Sequence, residues 1–245
     1  MGFEIDVLTK TVTVNHSHNN YANTAINGNP DIKHFDGLKV TSIFKRTKGR
    51  RDKNTPGDNN PMLYALKNMQ GLKTTFRSIC LLWGSYDQLV RLLLQRTVYD
   101  CIIPLPSSSP IAGLIAKNIN KRQPKSSRYF NALKKISAER VLFTISDLRI
   151  ISSEKATLRQ DVKRFIAHHG RKADFQMKSI IRPKLRKHIN PIVWGEINIS
   201  PPPINILLID DMVTSGASLL SARDALLIHY PGIYIECLTL FGSSR

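Results

Sequence analysis

The sequence predicts an α/β protein, a mainly parallel sheet flanked by helices, preceded by an N-terminal accessory region. Three observations predict it. Apolar runs of strand length alternate with helical periodicities from residue 98 to residue 240. One of those runs, Ile206-Leu207-Leu208-Ile209, is apolar at every position, as a strand buried on both faces must be. A helix pattern (217–229) and a last apolar run (233–240) follow it at the spacing of a crossover unit.

Residues 1–95 are expected to form this accessory region. Phe3, Ile5, Val7, Val12 and Val14 alternate, which predicts a short strand or hairpin, and 16–36 is rich in Asn, His, Gly and Pro, as loops are. Another strand is expected over 38–44. The basic run 45–53 leads into a turn-like stretch at 54–61 and reads as a loop able to meet a polyanion. Helices are expected over 62–69 and 74–95, the second with Leu81, Leu82, Leu89, Leu92 and Leu93 on its apolar face.

Residues 96–245 form the core. Residues 98–105 predict a strand that Pro104 and Pro106 end, and 111–120 a helix. Residues 139–144, with Val141-Leu142-Phe143, suggest a further strand, and 155–168 a helix. The stretch 146–203 is strongly basic and too long for an ordinary connection, so it reads as an insertion: a lid, a subdomain or a nucleic-acid surface. It stops at Pro201-Pro202-Pro203. A strand (204–209), a helix (217–229) and a closing strand (233–240) complete the chain.

The 245 residues, 42% of them hydrophobic, suffice for one substantial core plus a small subdomain. Thirty-six Lys and Arg against 18 Asp and Glu give a net charge of +18. Such a surface attracts polyanions, so DNA, RNA or highly phosphorylated ligands are the expected partners. Cys80, Cys101 and Cys237 are far apart without a CxxC pair, which predicts reduced, buried thiols rather than an all-cysteine zinc site. No apolar stretch reaches membrane-spanning length, and the first residues lack a signal-peptide pattern, so a cytoplasmic protein with no membrane partner is expected.

The chemistry concentrates after the apolar run at 206–209. Asp210 and Asp211 stand where that strand leaves the sheet. Adjacent carboxylates repel one another, so they serve a fold only when a hydroxyl or a cation uses them. Val213, Thr214, Ser215, Gly216, Ala217 and Ser218 then turn into a helix. Small and hydroxyl residues around one glycine let backbone N–H groups converge, and the helix start adds positive potential, which suits a phosphate. Acids for vicinal hydroxyls beside a phosphate cradle describe the two ends of ribose 5-phosphate. A receiver domain also opens with Asp-Asp, but only 34 residues follow Asp211, too few for its remaining strands. A nucleotide P-loop requires Lys before Ser/Thr, which is absent.

This segment resembles the PRPP-binding motif of type I phosphoribosyltransferases: four apolar residues, two acids, a spacer, then Thr/Ser-Thr/Ser-Gly-Gly/Ala-Ser/Thr. A second stretch, Cys101-Ile-Ile-Pro-Leu-Pro-Ser-Ser-Ser-Pro-Ile-Ala-Gly113, stands where that family places its pyrophosphate loop and resembles the wording of its ComF branch. The resemblance implies a type I phosphoribosyltransferase fold, with residues 1–95 as its N-terminal hood-like region, and the transfer of a phosphoribosyl group from PRPP with release of pyrophosphate. It implies that Asp210 and Asp211 contact the ribose hydroxyls, directly or through Mg²⁺, as the catalytic and metal-site pair. Residues 213–218 would wrap the 5′-phosphate, and Pro106, Ser107, Ser108 and Ser109 would form the pyrophosphate loop. That loop is neutral where ComF-like proteins carry Arg or Lys, so a cation from elsewhere, Lys67, Arg159 or Arg164, would have to serve. The expected partners are PRPP or a nucleotide, DNA or RNA on the basic surface, and a second copy of the chain. The alternative function is a non-catalytic nucleic-acid-binding regulator on the same fold, or a defence or toxin-like effector.

Overall fold

The computed structural model describes residues 1–47, 57 and 60–243; most of the basic run at 45–53 and of the turn after it lies outside the described residues. The N-terminal third contains β1 (Gly2–Asp6), β2 (Thr11–Asn15), β3 (Ala22–Asn23), β4 (Asp31–Phe35), β5 (Leu38–Arg46), α1 (Pro61–Leu66), β6 (Lys73–Thr74) and α2 (Phe76–Leu94). Then come β7 (Cys101–Pro104), α3 (Ile111–Arg122), β8 (Ser127–Arg128), β9 (Leu133–Lys135), α4 (Ala138–Thr144) and α5 (Ser152–His169). The chain ends with β10 (Ile192–Trp194), β11 (Asn205–Met212), α6 (Ala217–His229) and β12 (Tyr234–Phe241). Among the described residues no helix is long and apolar enough to cross a membrane.

The central sheet has seven strands. Its main path runs β3-β5-β12-β11-β7-β8, with β4 also on the outer edge of β5. The β5–β12, β12–β11, β11–β7 and β7–β8 pairs are parallel, and only β3 and β4 run antiparallel to β5. This is the mostly parallel, helix-flanked α/β arrangement that the alternation of elements predicts. Period-two geometry divides β11 between two cores. Leu207 and Ile209 join α2, α3 and the β1–β2 ribbon on one face, whereas Ile206 and Leu208 join α6 and the β9–β10 hairpin on the other. A strand buried this way tolerates no polar side chain between residues 206 and 209, which explains the uninterrupted run.

Residues 1–95 contribute to the sheet directly, because β5 pairs with β12 over residues 39–44. The basic stretch at 146–203 lies largely within a longer excursion between β9 and β10. This insertion leaves the hairpin after β9, returns at β10, and carries its own core of Val141, Ile145, Leu158, Val162, Phe165, Phe175, Ile180 and Leu185.

The expected strand at 139–144 is instead helix α4. Ser137 caps it, accepting from the Arg140 amide at 3.3 Å, and Ala138, Val141 and Ile145 recur at helical spacing on the buried side. A cap and a helical stripe outweigh three consecutive apolar residues, and Phe143 is left exposed. Cys101 and Cys237 are buried and free as expected, whereas Cys80 is exposed on α2. Burial pushes the Cys101 thiol up to about 12, so it stays protonated.

Candidate functional site

Strand order alone selects a place for a site. From β7 the chain steps outward to β8 and then crosses to β11 on the other side of β7, so the order reverses between β7 and β11. Diverging loops leave a crevice at the carboxyl ends of such strands. The serine loop follows β7 and the Asp pair ends β11. Both therefore meet there.

A cavity of about 1030 Å³ occupies the crevice, lined by Pro106, Ser107, Ser108 and Ser109 from one side and Asp210, Asp211 and Ser218 from the other. An adjoining recess of about 110 Å³ is lined by Asp210 and by Met212, Val213, Thr214, Ser215, Gly216, Ala217 and Ser218. Every residue singled out in the two sequence segments thus reaches one continuous region.

The recess is shaped by Gly216. It takes a left-handed φ of 75° as the cap of α6, and a Cβ there would meet the Phe35 ring at 2.6 Å. No other residue fits both restraints without strain. Helix α6 has no side-chain cap and no acid in its first turn, so its leading N–H groups face the recess unneutralised. Lys178 and Arg186 from the insertion close the far wall. The result is a small pocket with positive character on two sides, suited to a phosphate-sized anion.

The two carboxylates differ. Asp211 is buried and its Oδ2 pairs with Lys67 Nζ at 2.5 Å. Asp210 is half-buried, and its Oδ1 accepts the Asp211 amide at 2.8 Å. Burial first, and the neighbouring Asp211 charge second, push the Asp210 carboxyl up to about 7, while Lys67 and Lys135 pull the other way. A carboxyl held near neutrality in a cavity can bind hydroxyls in either protonation state and can exchange a proton. In the serine loop, Ser107 Oγ accepts the Ser109 amide at 3.1 Å and Ser109 Oγ the Ile111 amide at 3.4 Å. These turns fix the loop while both hydroxyl protons remain free to donate.

Of the three cations considered for the neutral loop, Lys67 alone lines the cavity. Arg159 donates to Ser146 Oγ and Arg164 pairs with Asp161, both within the insertion. Sequence reasoning missed Lys117, Phe130, Lys134, Lys135 and Met177 on the cavity wall. They lie outside both motifs, and only the path of the chain gathers them. Among the described residues no three His, Cys, Asp or Glu side chains converge as a metal cage. Asp210 is the carboxylate left open to a cation, since Asp211 is engaged by Lys67. No family model matches the chain, and no curated protein is detectably similar to it.

Proposed function

We propose that the chain binds the ribose 5-phosphate moiety of PRPP between the α6 cap and the Asp pair, and transfers the phosphoribosyl group with release of pyrophosphate, on a type I phosphoribosyltransferase fold. One observation carries this reading: a phosphate-sized recess at an uncapped helix start opens beside two carboxylates, within a larger cavity bordered by a second hydroxyl-rich loop. That is the spacing of chemistry along PRPP itself, a 5′-phosphate, vicinal hydroxyls and a diphosphate.

Displacement breaks the bond between C1 and the pyrophosphate oxygen, whose electron pair leaves with pyrophosphate. The acceptor nitrogen bonds to C1 and gives up its proton. The chain's own groups mainly position and stabilise. Amides at 215–218 hold the 5′-phosphate, Asp210 and Asp211 receive the hydroxyls, and the serine loop with Lys67 holds the diphosphate. Lys67 has further N–H donors beside the one directed at Asp211, so it can keep that pair while it meets the diphosphate. An Mg²⁺ ion, if used, would rest on Asp210 and on ligand oxygens, and would supply charge neutralisation of the diphosphate.

Thermal melting with Mg-PRPP and with ribose 5-phosphate tests the reading. Ligand at about 100 Kd adds about 2.7 kcal/mol, a rise of roughly 5–10 °C for a chain of this size. We expect Asp210→Asn with Asp211→Asn to abolish both this rise and pyrophosphate release. No shift with either ligand would reject the proposal.

A further inference from the structure

The cavity wall away from the Asp pair carries groups that a ribose phosphate has no use for. Phe130 is 46% exposed and Leu114 61% exposed, and both line the cavity. The Phe130 ring is held in place. The Arg128 guanidinium lies over it at 4.6 Å from the centroid, and Arg128 Nε is buried without a hydrogen-bond partner among the described residues. At its edge stands Gly113, where a Cβ would come within 3.2 Å of the ring. A fixed aromatic surface open to a cavity is a platform for a flat ligand. Lys117 and Lys134 stand on the same wall, exposed, and neither has an ion-pair partner among the described residues.

We propose that this wall binds a nucleobase with its phosphates attached, presented as the end of a single-stranded nucleic acid. The strand site does not rest on the phosphoribosyl reading. Every base has a π-face to lay on Phe130, and lysines spaced along a wall neutralise successive phosphates. A strand fits better than a free nucleotide because the positive field extends past the cavity. Between residues 136 and 192 thirteen Lys and Arg outnumber five Asp and Glu, and this basic unit supplies Lys178 and Arg186 to the site. Charge beyond the cavity makes direct phosphate contacts only with a ligand longer than the cavity, so it favours the strand most.

Fluorescence anisotropy with an end-labelled single strand of about twelve nucleotides, against added salt, tests the site. Three neutralised phosphates give a log–log slope of about −2, or roughly a twentyfold loss between about 50 and 200 mM salt. Phe130→Ala should weaken the strand at least about fivefold, the lower range for one lost stack, while Phe130→Trp retains it. Lys117→Gln with Lys134→Gln should flatten the slope by about 1.4. The ribose 5-phosphate melting shift should persist in all of these variants. A strand affinity indifferent to salt or to Phe130→Ala overturns the proposal, as does a mononucleotide that competes as well as the strand. Strand binding with no PRPP shift in the wild-type chain would reject the phosphoribosyl reading and leave the strand site standing.

Discussion

Asp210 sets a measurable pH dependence. Its folded-state carboxyl is raised above the ordinary value of 3.8 to about 7, by burial and by Asp211. A raised acid binds its proton more tightly folded than unfolded, so it costs nothing below the ordinary range and destabilises increasingly as pH climbs toward 7. We therefore expect Asp210→Asn to leave stability unchanged near pH 4 and to raise it by on the order of 1–3 kcal/mol near pH 8, measured by urea unfolding across that range. Lys67→Met should act in reverse. Removing the cation leaves the Asp211 carboxylate buried without its partner, at a cost of about 1–3 kcal/mol. Gly216→Ala joins a strained φ to a clash with Phe35, and about 1–3 kcal/mol of destabilisation is expected, with loss of the ribose 5-phosphate shift.

Among the elements, the insertion stands out as a unit with its own anchor. Asp161 is 4% exposed, and its Oδ2 accepts the Ile181 amide at 3.0 Å while Oδ1 accepts from Arg164 at 3.2 Å. It ties α5 to the loop that leads from Lys178 to Arg186. Asp161→Ala should loosen that loop by about 1–3 kcal/mol, seen as faster amide exchange at residues 177–189 with the exchange of β11 unchanged. Because β9 and β10 pair directly, a short Asn-Gly turn can join them in place of residues 137–190. The shortened chain should still melt cooperatively, since the two cores of the central sheet do not include the insertion's apolar residues. It should bind ribose 5-phosphate more weakly, having lost Lys178 and Arg186.

At the scale of the whole molecule, a charge of +18 opposes compaction as well as attracting polyanions. Added salt screens the repulsion, so the melting temperature should rise between about 20 and 200 mM sodium chloride, where the Debye length shortens to less than half. A melting temperature that falls over this range would mean that ion pairs such as Lys39–Glu236 outweigh the repulsion.

The α/β class, the burial of residues 206–209 and the glycine-capped turn at the start of α6 were legible in the sequence because they depend on local chemistry. An unbroken apolar run requires a strand covered twice, and a lone glycine among small hydroxyl residues at a helix start requires converging amides. The place of β5 between β12 and the antiparallel strands β3 and β4, the pairing of β9 with β10 and the cavity wall were not legible. β5 reads as any strand would, and its pairing with β12 joins residues nearly 200 positions apart. Strands as short as β8 and β9 carry no periodicity. Lys117, Phe130 and Lys178 come from three separate segments with no shared motif. Sequence alone determined where the acidic pair and the glycine-capped turn stand, through neighbours along the chain; only the tertiary structure decided what surrounds them, because crossovers that bring distant segments together leave no local pattern.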